Sequence, residues 1–295
     1  MDCEYKGIIA ALTTPFENEK LDLEAFKQNI RKYNDTELSG YVIAGSTGEG
    51  AYLSDEECIA LIRTAKEVSS EYKKIIAGTA RESVVNTVEL TNQAADAGAD
   101  SALVCTPHYY KSKMTSEALK KYYVSVAENS QIPLIIYNIP QNTGVSVDQE
   151  LVSFLLKHPN IQGIKDSSGD LNFFEELIPH IHSTKSFLLG AGNLMVPGLI
   201  MGAAGGILRL ACVLPKLCTH LHTLFEQKQW DQARKLQLDL VPLNQAVTKK
   251  WGIPAAKYAL DLLDYNGGPC RLPLLSLTPL AKDEIKKMLQ QLNQL

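Results

Sequence analysis

Two side chains and one loop have residue types and settings that could do chemistry. Lys165 follows the apolar run Ile161-Gln162-Gly163-Ile164, so its stem leaves a strand that burial would keep dry. Desolvation lowers an amine's pKa and raises its neutral fraction, and a neutral amine attacks a ketone to form a Schiff base. Tyr137 ends a second run, Pro133-Leu134-Ile135-Ile136. A phenol there, oriented by a chain of hydroxyls, could pass protons to and from the attacked carbonyl. From Gly45 to Gly50, the glycines let backbone N–H groups converge in a way that suits a carboxylate, and Ser46 and Thr47 add hydroxyl donors. The loop is not G-x-G-x-x-G, so no phosphate cradle is read from it.

Each feature has an ordinary alternative. A lysine at a strand end can simply reach water, and a buried tyrosine can be a core residue with a satisfied hydroxyl. The pairs His180/His182 and His220/His222 stand at i and i+2, which diverge on a helix, and are read as exposed residues rather than ligands. No metal and no organic cofactor is expected.

The elements that must position these groups are eight short β-rich runs: Gly7–Leu12, Tyr41–Ala44, Lys74–Ala77, Ser101–Cys105, Leu134–Tyr137, Gln162–Ile164, Phe187–Leu189 and Gly206–Leu210. Several are apolar throughout, as parallel strands covered on both faces are. Amphipathic helical segments separate them, one of them starting after Ser54 as N-cap and another, Val84–Ala97, stopping at Gly98. Eight strand–helix units predict an α/β fold, a (β/α)8 TIM barrel over residues 1–214. From 215 to 295 helices follow without strands, a C-terminal helical extension. In such a barrel chemistry belongs to the C-terminal strand ends, and these carry hydroxyls, phenols and one amine, a set suited to a carbonyl substrate.

The chain has 295 residues, 45% of them hydrophobic, and a net charge of −4. That charge argues against a nucleic-acid partner, which needs a basic face. Val196–Pro215 contains breakers and Arg209 and reads as a helix end, a turn and a strand rather than a membrane span. Six scattered cysteines with no CxxC pair, and an N-terminus without a secretory pattern, suit a cytoplasmic protein.

Four motifs in order resemble the pyruvate-dependent class I aldolase superfamily of dihydrodipicolinate synthase and N-acetylneuraminate lyase. They are Gly45-Ser46-Thr47-Gly48-Glu49, Thr106-Pro107-His108-Tyr109-Tyr110, Tyr137-Asn138-Ile139-Pro140 and Gly163-Ile164-Lys165-Asp166-Ser167-Ser168-Gly169-Asp170. The resemblance runs from Gly7 to about Pro279 and implies a homotetramer, a dimer of dimers, acting on a small keto acid and an aldehyde. It implies that Lys165 forms the imine and Tyr137 shuttles protons. Thr47 would link Tyr137 to a second tyrosine, matched by Tyr109, from a neighbouring subunit. It further implies that Ser46 and Thr47 hold the pyruvyl carboxylate, that Gly190 and Ile207 line the pocket through their backbone, and that Ser167 faces the distal part of the substrate.

Departures choose among branches. Asn142 stands where dihydrodipicolinate synthases usually carry Arg, and an amide lacks the charged fork that matches a carboxylate. Gly192 and Asn193 occupy the place of the sialate lyases' acidic pair. Similarity is greatest to the 4-hydroxy-2-oxoglutarate aldolase branch, through Gln141-Asn142-Thr143-Gly144, Trp251-Gly252-Ile253-Pro254 and Gly267-Gly268-Pro269-Cys270-Arg271. The resemblance therefore implies cleavage of a 4-hydroxy-2-oxo acid to pyruvate and glyoxylate, or the reverse. Alternatives are 4-hydroxy-tetrahydrodipicolinate synthase with aspartate semialdehyde, a 2-keto-3-deoxy sugar acid aldolase, and a non-catalytic keto-acid sensor. Arg209, two residues beyond Ile207, is expected to face the barrel mouth and clamp a distal carboxylate, or else to pair with an acid at the rim.

Overall fold

The structure, a computed structural model, describes residues 3–295. Eight parallel strands close a barrel: β1 Gly7–Ala11, β2 Gly40–Ile43, β3 Lys74–Gly78, β4 Ser101–Cys105, β5 Leu134–Asn138, β6 Ile161–Asp166, β7 Ser186–Leu189 and β8 Gly205–Leu208. Each pairs with its sequence neighbour, and β8 returns to β1 through Gly205↔Gly7 to Leu208↔Ala10. The fold is the (β/α)8 barrel that the strand count predicts.

Alternation along each strand divides the core in two. Residues turned inward, among them Ile9, Val42, Ile76, Leu103, Ile135, Leu188 and Ile207, fill the barrel with Tyr5 and Cys3. Their neighbours Ile8, Tyr41, Ile75, Val104, Ile136, Ile164 and Phe187 face the helices and join a second, larger cluster. Successive strand side chains point to opposite faces, so strands buried on both sides must be apolar at every position.

The helices begin where their caps direct. Ser54 and Glu57 form a reciprocal capping box ahead of Asp55–Val68. Helix Val84–Asp96 ends before Gly98, whose φ of +99° suits a residue without Cβ.

One strand differs from its expected bounds. β8 stops at Leu208; Arg209 already has helical backbone and caps the short helix Leu210–Val213. Strand alternation therefore does not aim Arg209. After β8 come helices Pro215–Glu226, Trp230–Gln245, Ile253–Leu262 and Pro279–Gln291, with a π-turn at Ala246–Lys250. Pro215–Glu226 packs against both β1 and Trp230–Gln245, and so touches barrel and extension alike. No described helix is long and apolar enough to cross a membrane.

Candidate active site

Lys165 and Tyr137 are set by register. They are direct partners on β6 and β5, and the next pair up is Asn138 opposite Asp166. Ile164 and Ile136 face the helices, so Lys165 and Tyr137 turn into the barrel near the C-terminal ends of their strands. Lys165 lies within β6 rather than just beyond it. Its Nζ is 4.0 Å from the centroid of the Tyr137 ring. Both side chains are buried. Burial pulls the Lys165 ammonium below the ordinary lysine range; the Tyr137 phenol opposes this, and the like charge of Arg209 adds to it. The amine is thereby biased toward its neutral, nucleophilic form.

The pair above fixes that register. Asn138 Nδ2 donates to Asp166 Oδ1 at 2.7 Å, and Ser168 Oγ donates to Oδ2 at 2.7 Å. The Ser167 N–H donates to Asn138 O at 2.9 Å. Burial holds the Asp166 carboxyl above its usual range, while the hydrogen bonds from Ser168 and Asn138 work against that rise. Sequence reasoning gave neither residue a role. Their signal was adjacency, since each directly follows one of the two reactive candidates.

Ser46 and Thr47 begin a single 3-10 turn, Ser46–Gly48, after β2. The glycine N–H groups of this loop do not converge outward as the sequence suggests. Gly48 N and Gly50 N both donate to Gly45 O, at 3.0 and 3.1 Å, which closes the turn on itself. Ser46 is half-buried and Thr47 buried. Gly50 lies under Ala44, where a Cβ would come within 2.0 Å of Ala44 O.

The loop is anchored from the C-terminal extension. Glu49, in left-handed backbone at φ 58°, has Oε1 2.6 Å from Lys257 Nζ, and its Oε2 accepts from the Arg271 N–H at 2.9 Å. Both charged side chains of that pair are fully enclosed, and Lys257 also donates to Pro269 O at 2.6 Å. Arg271 in turn forks onto Glu57 and reaches Tyr52 O. Glu49 stood inside a quoted motif, but Lys257 carried no signal, being one lysine in an ordinary amphipathic helix.

Arg209 reaches the same loop. Its Nε donates to Thr47 Oγ1 at 3.2 Å and its Nη1 to Val247 O at 2.7 Å. Among the described residues it has no acidic partner, so the expected rim pairing with an acid is not made; a hydroxyl and a carbonyl take that place. Gly190 N donates to Asp166 O at 2.6 Å, and a Cβ at Gly190 would lie 1.9 Å from Ser167 Oγ. Glycine at this strand end is what lets Ser167 take its position. Ile207 is buried in the inner core beside Tyr137 and Leu188.

A cavity of about 610 Å³ opens over the ends of β2 to β5. Ser46, Cys105, Tyr137 and Asn142 are in its wall, and the extension contributes Ile253 and Leu274. Lys165, Thr47, Ser167, Gly190, Ile207 and Arg209 lie outside that wall. Tyr109 is not brought in: 76% of it is exposed, its ring packs edge-on against Tyr110, and its N–H donates to Glu82. Within one chain Tyr109 and Thr47 make no hydrogen bond. A second cavity, of about 500 Å³, lies at the opposite face, lined in part by Lys6, Ser39 and His222, and holds no residue of this set.

A barrel carrying a desolvated lysine against a phenol, with a hydroxyl-bearing loop beside them, defines a carbonyl-binding enzyme of the Schiff-base kind. The chain belongs to the dihydrodipicolinate synthetase family, whose model matches residues 4–292. It is a class I, carbon–carbon-bond lyase of that pyruvate-dependent aldolase family. It is 33% identical to the 4-hydroxy-tetrahydrodipicolinate synthase of an Exiguobacterium species, over 98% of this chain and 99% of that one. Among solved structures it is similar to the chloride-inhibited dihydrodipicolinate synthase of Acinetobacter baumannii complexed with pyruvate, at 30% identity. The TM-score is 0.93, with 98% of this chain and 99% of that chain covered. A monomeric dihydrodipicolinate synthase variant is similar at 25% identity and a TM-score of 0.94, covering 99% of this chain and 98% of the other.

Proposed function

We propose that this enzyme joins pyruvate to a carboxylate-bearing aldehyde, or cleaves the product, through an imine on Lys165. The observation that carries the reading is the buried Lys165 amine 4.0 Å from the Tyr137 ring at the mouth of the barrel. The amine attacks C2 of the keto acid, water leaves, and the iminium accepts the electron pair of the C3–C4 bond in cleavage or of a departing C3 proton in condensation. Tyr137 takes the 4-hydroxyl proton in cleavage and returns it to the new hydroxyl in condensation. Ser46 and the Thr47 backbone N–H hold the pyruvyl carboxylate, and the Thr47 hydroxyl links Tyr137 to a second tyrosine. Ser167, Gly190 and Ile207 border the substrate, and Arg209 offers Nη2, which has no partner among the described residues. Tyr109 completes the relay from a second copy of the chain in a homotetramer located in the cytoplasm; one relative being a monomeric variant makes the assembly a point to measure.

Two aldehydes fit. The curated relatives bear the name 4-hydroxy-tetrahydrodipicolinate synthase, and this favours aspartate semialdehyde over the glyoxylate that the sequence motifs put first. The observation on the other side is Asn142 in the cavity wall, an amide rather than a guanidinium at that position, while the wall's Arg81 is held by Asp55. Turnover with pyruvate plus aspartate semialdehyde, against cleavage of 4-hydroxy-2-oxoglutarate, separates the two. Activity with neither, alongside imine formation, would point to a different aldehyde, such as the one a 2-keto-3-deoxy sugar acid aldolase releases.

A further inference from the structure

We propose that Arg209 is a positioning residue, which fixes the direction of the Thr47 hydroxyl proton and thereby the proton transfers at C3 of the bound keto acid. The inference rests on the Schiff-base reading of the site and adds to it a residue from the start of the helix after β8.

A threonine hydroxyl has one proton to give and two lone pairs to receive with, whereas a guanidinium only gives. With Arg209 Nε donating to Thr47 Oγ1 at 3.2 Å, the arginine occupies a lone pair and never competes for the hydroxyl's proton. That proton is left free for a second acceptor. A lone hydroxyl would rotate between giving and receiving; this one is held in a single sense.

The guanidinium is itself immobilised. Nη1 donates to Val247 O at 2.7 Å, inside the π-turn Ala246–Lys250 of the extension. Two anchors on opposite sides, from residues 38 and 162 positions away in sequence, fix both reach and orientation. Neither partner is charged, and no acid stands within ion-pair distance among the described residues. A half-buried cation without a carboxylate costs stability compared with a paired one, so simple structural pairing does not account for it. The Glu49–Lys257 pair, by contrast, matches one charge with the other and anchors the same loop.

The test uses a partial reaction that needs no aldehyde. With pyruvate alone in D2O, the Lys165 amine condenses with C2 and releases one water. Loss of a C3 proton gives the enamine; return of a deuteron and hydrolysis give labelled pyruvate. Pyruvate has no distal carboxylate, so an Arg209 that acts only as a substrate clamp leaves this exchange unaffected. On the pH plateau, Arg209→Met is expected to slow the exchange kcat at least tenfold while the KM for pyruvate changes less than about twofold. Arg209→Lys, which keeps the charge and one donor nitrogen, should recover part of the rate. Thr47→Val should be slow as well, and Arg209→Met in that background should cost no more than a further factor of two, because the two residues act as one unit. Borohydride trapping at Lys165 in each variant reports that the site is folded and forms imine. Unchanged exchange in Arg209→Met, or independent multiplicative losses in the double variant, would overturn the proposal. Absence of any Lys165 adduct in the wild-type protein would instead overturn the Schiff-base reading itself.

Discussion

Tyr137 and Lys165 face each other as register partners on adjacent strands, with the amine 4.0 Å from the ring centroid, and Asn138 and Asp166 repeat the pairing one residue further on. One pair does the proposed chemistry and the other holds the register that aligns it.

Burying an amine has a thermodynamic sign. The folded chain binds the Lys165 proton less tightly than the unfolded chain does. Stability therefore rises with pH from the folded pKa up to the unfolded value of about 10.4, and the penalty is complete below the folded pKa. Lys165→Met should abolish turnover and raise stability at neutral pH by roughly 0.5–2 kcal/mol. Thermal unfolding of the two proteins at pH 7 and at pH 10 checks this, with the gap narrowing at the higher pH. Wild-type activity should rise with pH through the same titration.

The enclosed pair Glu49–Lys257 should be a stability determinant rather than a catalytic one. Lys257→Met alone strands a buried carboxylate and should cost about 3–5 kcal/mol. Combining it with Glu49→Gln should recover a large part of that loss. Urea denaturation of the single and double variants measures the coupling.

Gly190→Ala tests the close approach at the end of β7. The new Cβ would come within 1.9 Å of Ser167 Oγ and 3.0 Å of Asp166 O. Displacement of Ser167 should raise the KM for the aldehyde substrate more than that for pyruvate, with a stability loss of about 1–3 kcal/mol. Steady-state kinetics with each substrate varied in turn separates the two effects.

Asn142→Arg tests the choice of aldehyde. A charged hydrogen bond to the substrate carboxylate is worth about 1.5–3 kcal/mol, or roughly tenfold to a hundredfold in kcat/KM. If aspartate semialdehyde is turned over weakly because this guanidinium is missing, the variant should gain by that factor with it. No gain would place carboxylate recognition elsewhere in the pocket.

Much of the fold was legible because each barrel strand is a short apolar run bounded by turn residues, and all eight lie where those runs predict. β8 was overrun because Leu208, Arg209 and Leu210 continue its apolar alternation, while the backbone turns helical at Arg209. The strand-end places of Lys165 and Tyr137 were legible because where a strand stops follows local pattern, but their pairing across β5 and β6 was not. What escaped was long-range pairing. Lys257 is 208 positions from Glu49, and nothing in a helix's own sequence marks which lysine will be enclosed. The inward closure of the Gly45–Gly50 turn escaped for another reason: glycine permits several loop conformations and specifies none.

Reductive trapping is the most direct measurement. Incubation with pyruvate and borohydride, followed by peptide mass spectrometry, should find a single stable adduct, on Lys165, and none in Lys165→Met. An adduct on another lysine, or none at all in protein that is folded, would contradict the account at its centre.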